Sequence, residues 1–383
     1  MYEADTIYNY NFPTNIKFGV GAANELKHYL KKQGLSRPLV VTDPLVSELS
    51  FLKALVDGLN QHGLRANIFS DIHKNPIKSD VLKGNEAYFE YKSDCVIGIG
   101  GGAAMDVARA IVLSINHHAD LFEYDDQIGG SELITEPVPH FITIPTTAGT
   151  GSEVGRAAVI SEDESKRKRI LFHPKLLARM VFVDPQLTYD LPAPITAATG
   201  MDALTHNLEA YLSKGFHPIC DGIALEGVSL IYASLEKAVN NSDQESRANM
   251  LIASLMGAVA FQKGLGIVHS MSHPLSTLLD MHHGLANAIN LPHGLRYNIP
   301  GREDRFKVLA KTMNLPKEDG EAVVNALFEL NERVNLPTHL GSQGVTQQHI
   351  EPLSELAVKD FCLPDNHRPA AKQDFIDLYS EAL

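Results

Sequence analysis

The strongest constraint on the fold is a change in the hydrophobic pattern at the proline-rich segment DLPAP, residues 190–194. Before it, short apolar β-branched runs such as 38–43 and 180–185 alternate with helical patterns. Their continuous hydrophobicity is typical of strands buried in a parallel sheet. After it, long amphipathic helical patterns dominate. The sequence therefore predicts an α/β domain with a parallel sheet over residues 1–190, followed by an all-helical domain over 191–383.

Histidines are concentrated in the segment GLGIVHSMSHPLSTLLDMHHGLANAINLPH, residues 264–293. His269 and His273 are four residues apart, so a helix places both on one face. His283 follows at a His-Gly corner, and the upstream segment GMDALTHNLEAY supplies another pair at that spacing, Asp202 and His206. A single pair of potential ligands four residues apart more often reflects side-chain packing than metal binding. Two pairs and a turn histidine together predict three imidazoles and one carboxylate around a divalent metal.

A second informative segment is CVIGIGGGAAMDVARAIVLSI, residues 95–115, which predicts a buried strand, a glycine turn and a helix beginning near Ala103. Glycines at 100–102 let the backbone approach a ligand closely, and the helix N-terminus points N–H groups at a phosphate. The spacing is neither the GxGxxG fingerprint nor a Walker loop. The turn indicates a phosphate site, although glycine turns also occur without ligands.

Other strand ends carry polar groups suited to a dinucleotide. Asp43 ends the run PLVVTD, where a carboxylate could accept hydrogen bonds from an adenosine ribose, or could simply cap a helix. The segment HFITIPTTAGTGSE, residues 140–153, places hydroxyls and glycines on one loop, which suits a pyrophosphate or ribose or forms an ordinary turn. The basic run at 166–169 lies in a predicted hairpin or loop. The first domain is therefore predicted to bind a dinucleotide.

Charge and cysteine content narrow the function classes. The net charge of −13 at pH 7 argues against binding to nucleic acid or an anionic membrane. Cys95, Cys220 and Cys362 form no CxxC, so neither a disulfide framework nor a zinc–thiolate site is expected. The N-terminus MYEADTIYNYNFP lacks signal-peptide features, and no apolar run approaches the ~18 residues of a membrane span. The chain is expected to be soluble and cytoplasmic.

Together these segments resemble the iron-containing (group III) alcohol dehydrogenase family, whose fold is dehydroquinate synthase-like. The similarity covers roughly residues 10–360, and its most specific parts are IPTTAGTGSE, GMDALTHNLEAY and GIVHSMSHPLSTLLDMHHGLANAINLPH, in the family's order. The resemblance implies an NAD-dependent enzyme that interconverts a small primary alcohol and its aldehyde. It also implies Fe2+ as the favoured metal, with Zn2+ next, and a homodimer or larger homo-oligomer.

The resemblance assigns roles to individual residues. It places a catalytic histidine, beside the metal and the nicotinamide, at His273. It implies that the metal ligands are Asp202, His206, His269 and His283. It implies NAD contacts at Asp43, Asn75, Gly101, Gly102, Asp106, Thr146, Thr147, Thr150, Lys168 and Leu187. Because the Asp43 carboxylate would repel the 2′-phosphate of NADP, NAD is the expected dinucleotide.

The chain departs from the family pattern at several positions. Ala103 replaces a serine of the glycine motif, so one hydroxyl contact to the phosphates is missing. Arg109 stands where the family usually has lysine, and Ala157 stands where asparagine is frequent. The last change puts one contact near the nicotinamide in doubt.

The chemistry expected of such a site is hydride transfer. A divalent ion with an open position would polarise the substrate oxygen, His273 would relay the proton, and the nicotinamide would carry the hydride. The alternative is a metal- and NAD-dependent lyase or cyclase of the dehydroquinate synthase type. That reaction needs many cations for its substrate, and MSHPLSTLLDMHHG offers few. A non-catalytic binding protein is disfavoured because all the candidate ligands are present.

The choice of substrate is left open by the sequence. Arg156, Asp280 and His282 indicate a polar pocket. A simple alcohol, a diol, a hydroxy acid and a sugar-derived aldehyde all fit that indication.

Overall fold

The structure is a computed structural model that describes residue 12, residues 14–165 and residues 167–383. The N-terminal residues used above to argue against a signal peptide therefore lie largely outside it, as does Lys166 of the basic run. The described chain divides into two compact units. One comprises residues 14–147 and 151–189, and the other comprises 12, 148–150 and 190–383.

The first unit is built on a six-stranded sheet of order β1-β8-β5-β4-β2-β3, in which every pairing is parallel. Its strands are β1 (Asn15–Phe18), β2 (Pro38–Val41), β3 (Asn67–Phe69), β4 (Cys95–Gly100), β5 (His140–Pro145) and β8 (Met180–Val183). A separate antiparallel hairpin is formed by β6 (Ala157–Ser161) and β7 (Lys168–Phe172). The helices of the first unit are α1 (Leu26–Lys32), α2 (Pro44–Ser47), α3 (Ser50–Gln61), α4 (Lys78–Glu90) and α5 (Gly102–Ser114).

The central strands are buried on both faces, as their continuous apolar sequence predicts. Every residue of β2 and β4 is buried, and the core includes Val40, Ile97, Ile142 and Phe182. The three central strands end at one edge of the sheet, because β2, β4 and β5 run parallel in register. This edge carries five of the residues predicted to bind the dinucleotide: Asp43, Gly101, Gly102, Thr146 and Thr147.

The second unit is helical in the described residues from 190 onward, so the predicted fold class is confirmed. Its helices are α6 (Ala193–Leu212), α7 (Pro218–Asn240), α8 (Gln244–Ala260), α9 (Ile267–Leu279), α10 (His283–Asn298), α11 (Glu303–Thr312), α12 (Gly320–Arg333), α13 (Gln347–Ala357) and α14 (Lys372–Ala382). The division between the units falls at 189/190, one residue before the predicted boundary. The sequence did not indicate that residues 148–150 group with the helices.

Helix α7 is long and apolar enough to cross a membrane by composition, and α8 with its 3-10 extension forms a bent pair with α9 that meets the same criterion. However, α7 packs against α6 and α8 within the helical unit. Its apolar residues Val228, Ile231 and Leu235 are fully buried there. They therefore belong to a protein core.

Candidate active site

Four predicted ligand side chains lie together in the helical unit. They are Asp202, His206, His269 and His283, and their ligand atoms all lie within 4.8 Å of one another. The distance to Asp202 Oδ1 is 3.8 Å from His206 Nε2 and 3.5 Å from His283 Nε2. The rings of His206 and His269 stack with centroids 4.9 Å apart. The Asp202–His206 pair, His269 of the second pair and the turn histidine His283 thus meet at one point.

The geometry of this cluster fits a divalent metal. Tetrahedral coordination with bonds of about 2.1 Å separates ligand atoms by roughly 3.4 Å. The separations of 3.5 and 3.8 Å from Asp202 Oδ1 are near that value, and they are too long for good hydrogen bonds. Three imidazoles and one carboxylate suit both iron and zinc.

Two glycines allow the ligand-bearing helices to approach one another. A Cβ on Gly284, directly after His283, would lie 2.3 Å from the carbonyl oxygen of Ala198 on α6 and 3.3 Å from Asp202 Cβ. A Cβ on Gly257 of α8 would lie 3.0 Å from His206 Cβ. Any larger residue at 284 would push the start of α10 away from α6. The glycine of the His-Gly corner therefore sets the distance from His283 to Asp202.

Asp202 is ionised in this environment. Burial raises the pKa of its carboxyl, but electrostatic attraction to the His206, His283 and His269 rings and the hydrogen bond from Asn287 together hold that pKa below its usual range. The Asn287 amide also donates to Asp202 Oδ1 at 2.7 Å. The same amide nitrogen lies 3.1 Å from His283 Nε2 and 3.4 Å from His269 Nε2. Because the amide nitrogen carries two hydrogens and one is donated to Asp202, the other can be donated to one of these two Nε2 atoms, which then accepts with the lone pair that would bind a metal.

His269 is oriented by Glu209, one α6 turn beyond His206. Glu209 Oε2 lies 2.5 Å from His269 Nδ1, and the carboxylate also accepts from the backbone N–H groups of Val268 and His269. Burial raises the pKa of Glu209 to about 7 and holds the pKa of His269 well below its usual range. Hence His269 is neutral, with Nδ1 facing Glu209 and Nε2 facing the other ligands.

Replacing Glu209 by glutamine is expected to weaken metal binding by about 10–100-fold, the usual effect of removing a carboxylate that orients a ligand histidine. The dissociation constant would be measured by competition with a chromophoric chelator. Asp221→Asn, which changes a carboxylate on α7 that pairs with Lys263 and Arg305, is the control. Equal affinities of the Glu209→Gln variant and the wild type would rule out this orienting role.

His273 lies beside the ligand cluster and is bonded to Asp360. The distance from His273 Nδ1 to Asp360 Oδ2 is 2.8 Å. The His273 ring stacks on His283 with centroids 5.3 Å apart and on Phe361 with centroids 5.1 Å apart. Burial raises the pKa of Asp360, but His273 and its other hydrogen-bond donors hold that pKa below its usual range. The predicted catalytic histidine thus faces an ionised carboxylate.

Five predicted NAD contacts gather around the end of β4. Gly101 is the N-cap of α5 and Gly102 is its first residue, so the helix N-terminus begins at the glycine turn. A Cβ on Gly101 would lie 3.3 Å from Thr147 Oγ1, and one on Gly100 would lie 3.3 Å from Asp43 Oδ2. Thr146 donates its N–H to Gly100 O at 3.0 Å. This edge offers backbone N–H groups, hydroxyls and a carboxylate to a dinucleotide.

Asp43 also caps a helix, the role that the sequence left open as the alternative to ribose binding. Its Oδ1 accepts hydrogen bonds from Leu45 N at 3.0 Å and Val46 N at 2.9 Å and so caps α2. Its Oδ2 lies on the side of Gly100. The same carboxylate can therefore cap the helix with one oxygen and present the other at the sheet edge.

Asp106 and Lys168 lie in a different cluster of the first unit. Asp106 accepts from Ser152 Oγ at 3.0 Å, Val159 N at 3.1 Å and the Arg109 guanidinium at 3.2 Å. Burial raises the pKa of Asp106, whereas Arg109 and, more weakly, Lys168 lower it. Asp106 thus holds the 152–159 loop against α5.

The remaining predicted NAD contacts are dispersed. Asn75 lies in an exposed loop after β3. Leu187 packs against the apolar core of the first unit. Thr150 groups with the helical unit, unlike Thr147 three residues earlier. For these three residues, contact with NAD stays a prediction.

Sequence reasoning missed Glu209, Asn287 and Asp360. The first two had a local signal, because Glu209 is three residues after His206 and Asn287 is four after His283, which places each on a ligand-bearing helix face. Asp360 is 87 residues from His273, and no spacing rule connects them.

Two sequence profiles match nearly the whole chain. The profile described as "Iron-containing alcohol dehydrogenase" matches residues 13–185. The profile described as "Fe-containing alcohol dehydrogenase family, C-terminal" matches residues 196–383. Their boundary coincides with the break between the α/β and helical units.

Individual relatives agree with these profiles. The chain is 37% identical to the 4-hydroxybutyrate dehydrogenase of Cupriavidus necator over 381 residues, which covers 97% of this chain and 98% of that one. A crystal structure of a 1,3-propanediol oxidoreductase superposes with a TM-score of 0.93 at 32% identity, covering 99% and 100% of the chains. Sulfoacetaldehyde reductase from Bifidobacterium kashiwanohense, solved with NAD+, superposes with a TM-score of 0.89 at 28% identity, covering 98% and 99%.

These matches confirm the predicted activity class, an NAD(H)-linked oxidoreductase of alcohols and aldehydes with a divalent metal, iron being favoured. They do not favour the lyase alternative. With two family profiles matched in order and a shared fold along its length, the chain belongs to the iron-containing alcohol dehydrogenase family.

Proposed function

We propose that the substrate oxygen binds at the cluster formed by Asp202, His206, His269 and His283, and that His273 exchanges the proton. The observation that carries this proposal is the convergence of these four ligand side chains within 4.8 Å. A divalent ion there would supply Lewis-acid polarisation of the substrate oxygen, and NAD would supply the hydride acceptor.

The protein's own groups prepare the site for that chemistry. Glu209 orients His269, burial holds the pKa of that ring well below its usual range, and the Asn287 amide nitrogen lies 3.1 Å from His283 Nε2. The ionised Asp202 supplies the single negative charge among the four ligands, so a bound dication keeps a net charge near +1. His273 takes the hydroxyl proton at Nε2 during alcohol oxidation and returns it during aldehyde reduction, which suits an imidazole.

We also propose that the substrate is a short primary alcohol or aldehyde with a second polar group at its far end. The relatives named for 4-hydroxybutyrate and 1,3-propanediol support this class. Within this chain, Asp280 and His282 precede the ligand His283 in the segment between α9 and α10. This proposal selects the diol and the hydroxy acid from the substrates that the sequence left open.

A substrate panel tests this proposal. NADH formation would be compared for 4-hydroxybutyrate, 1,3-propanediol and 1-butanol, a matched alcohol without the second polar group. We expect kcat/KM at least tenfold higher for one of the first two, since an unpaired polar group in the site disfavours the analogue that lacks the partner. A preference for 1-butanol would contradict the polar-substrate assignment, and no NADH formation with any alcohol would contradict the site assignment.

Replacing Asp43 by glycine is expected to relax the preference for NAD over NADP, because the carboxylate repels the 2′-phosphate. Asp43→Asn is the matched variant, since it removes the charge while retaining an oxygen that can cap α2. Both variants should show a lower ratio of kcat/KM for NAD to that for NADP. An unchanged ratio in both variants would refute the role of Asp43.

We further propose that residues 1–190 and 191–383 are separate domains, and that the protein is a cytoplasmic homodimer or larger homo-oligomer. Among the described residues, strand β1 lies at an edge of the sheet, and Phe18 at its end is 46% exposed. An edge strand presents unpaired backbone groups that can pair with another chain, which supports assembly. Light scattering after size exclusion would give the mass, and a monomer would contradict the proposal.

A further inference from the structure

Three contacts fix the orientation of the His273 ring. The His273 ring stacks on His283 with an interplanar angle of 13° and on Phe361 with an interplanar angle of 23°. These two contacts set the plane of the ring. The bond from Nδ1 to Asp360 Oδ2 then fixes its rotation within that plane. The direction of Nε2 follows from these three contacts together.

Asp360 is itself held by three donors. Its Oδ2 faces His273 Nδ1 at 2.8 Å, while its Oδ1 accepts from Ser270 Oγ at 3.2 Å and from Cys362 N at 2.9 Å. Its side chain is only 8% exposed. Ser270 and His273 lie on α9, so the carboxylate joins this helix to the segment after α13. The buried carboxylate is thus rigidly placed.

The Asp360 carboxylate, which accepts hydrogen bonds from its neighbours, also fixes the tautomer of His273. An ionised carboxylate only accepts, so the Nδ1 of His273 must carry a hydrogen. The neutral ring then has its lone pair on Nε2. When Nε2 takes a proton, the same carboxylate stabilises the imidazolium that forms.

We propose that Asp360 is the positioning residue for proton transfer by His273, acting by fixing its tautomer and ring orientation. This inference rests on the proposed role of His273. The reaction balances without any further reactant: the substrate O–H proton passes to Nε2 as the C–H hydride passes to NAD, and both return in the reverse direction. Asp360 touches neither the substrate nor the hydride.

The test is Asp360→Asn in the metal-loaded enzyme. An amide can donate to Nδ1 and so stabilise the opposite tautomer. We expect kcat to fall about 10²–10³-fold, within the range supplied by a positioned acid–base group. The KM for the alcohol, the affinity for NAD and the metal content should change by less than about threefold, because Asp360 acts only on the proton step.

A double-mutant cycle separates positioning from general structural support. If Asp360 acts through His273, the His273→Ala/Asp360→Asn double variant should be no slower than His273→Ala alone. Asp365→Asn is the matched control, since it makes the same change five residues along the chain in a side chain that packs near Gly264. It should retain wild-type kcat.

Asp360→Glu is the second variant, because it keeps the carboxylate but moves it by one methylene group. We expect it to recover part of the lost kcat with full metal content. Wild-type kcat in either Asp360 variant, or additive losses in the double variant, would overturn the inference while leaving the proposed function intact. Loss of metal in parallel with kcat would also overturn it. Absence of NAD-linked activity in the wild type would instead refute the proposed function.

Discussion

Replacing His206 by alanine is expected to lower metal affinity by about 10²-fold or more. Metal-binding free energies of about 10–16 kcal/mol for four-ligand sites correspond to roughly 3 kcal/mol per ligand. His206 Nε2 lies 3.8 Å from Asp202 Oδ1 and is one of the four converging ligand atoms. No other histidine on α6 can replace it.

Turnover of the His206→Ala variant should fall by about 10³-fold or more at micromolar metal, since Lewis-acid stabilisation supplies several kcal/mol of the barrier reduction. Metal content would be measured by mass spectrometry after dialysis, and turnover by NADH absorbance. His118→Ala, at an exposed histidine in the first unit, is the control. Full metal content and wild-type turnover in His206→Ala would mean that the ion binds elsewhere.

The second large effect concerns stability. Arg109 is fully buried, and its guanidinium pairs with Asp106 and donates to Ser152 Oγ, Ala157 O at 2.7 Å, Leu176 O and Ser152 O. Arg109→Ala would leave the buried Asp106 without its cation. Such a change costs about 3–5 kcal/mol, which corresponds to a melting temperature lower by roughly 6–20 °C for a unit of this size.

Calorimetry of the NAD-free protein would measure this shift. Arg109→Lys is the informative comparison, because lysine keeps the charge near Asp106 but lacks the planar fork that reaches several carbonyls at once. We expect Arg109→Lys to be intermediate between the wild type and Arg109→Ala. A melting temperature of Arg109→Ala within 2 °C of the wild type would show that the network contributes little.

Much of the fold was predictable because its signals are local. The buried strands β2, β4 and β5 were identified from continuous apolar runs, and the helices of the second unit from their amphipathic period. The pairing of Asp202 with His206 on α6 and of His269 with His273 on α9 was predictable because a spacing of four residues places side chains on one helix face. These features depend on neighbours within a few residues along the chain.

The parts that were missed depend on distant segments. Asp360 reaches His273 across 87 residues, and nothing near it in sequence indicates that contact. Asp106 stays a predicted NAD contact, and the sequence did not indicate that its carboxylate also accepts hydrogen bonds from Arg109, Ser152 and Val159. The substitution at Arg109 was recognised as a departure, but its network of buried acceptors required the fold.

The most direct test of the central claim is metal content and NADH-linked turnover measured on the same preparation, before and after chelation. We expect about one Fe or Zn ion per chain, loss of aldehyde-dependent NADH oxidation on chelation, and recovery when one of these ions is returned. Full turnover in the metal-free protein would contradict this expectation. So would bound metal and NAD with no net change in NADH on any aldehyde, which would favour a lyase-type reaction.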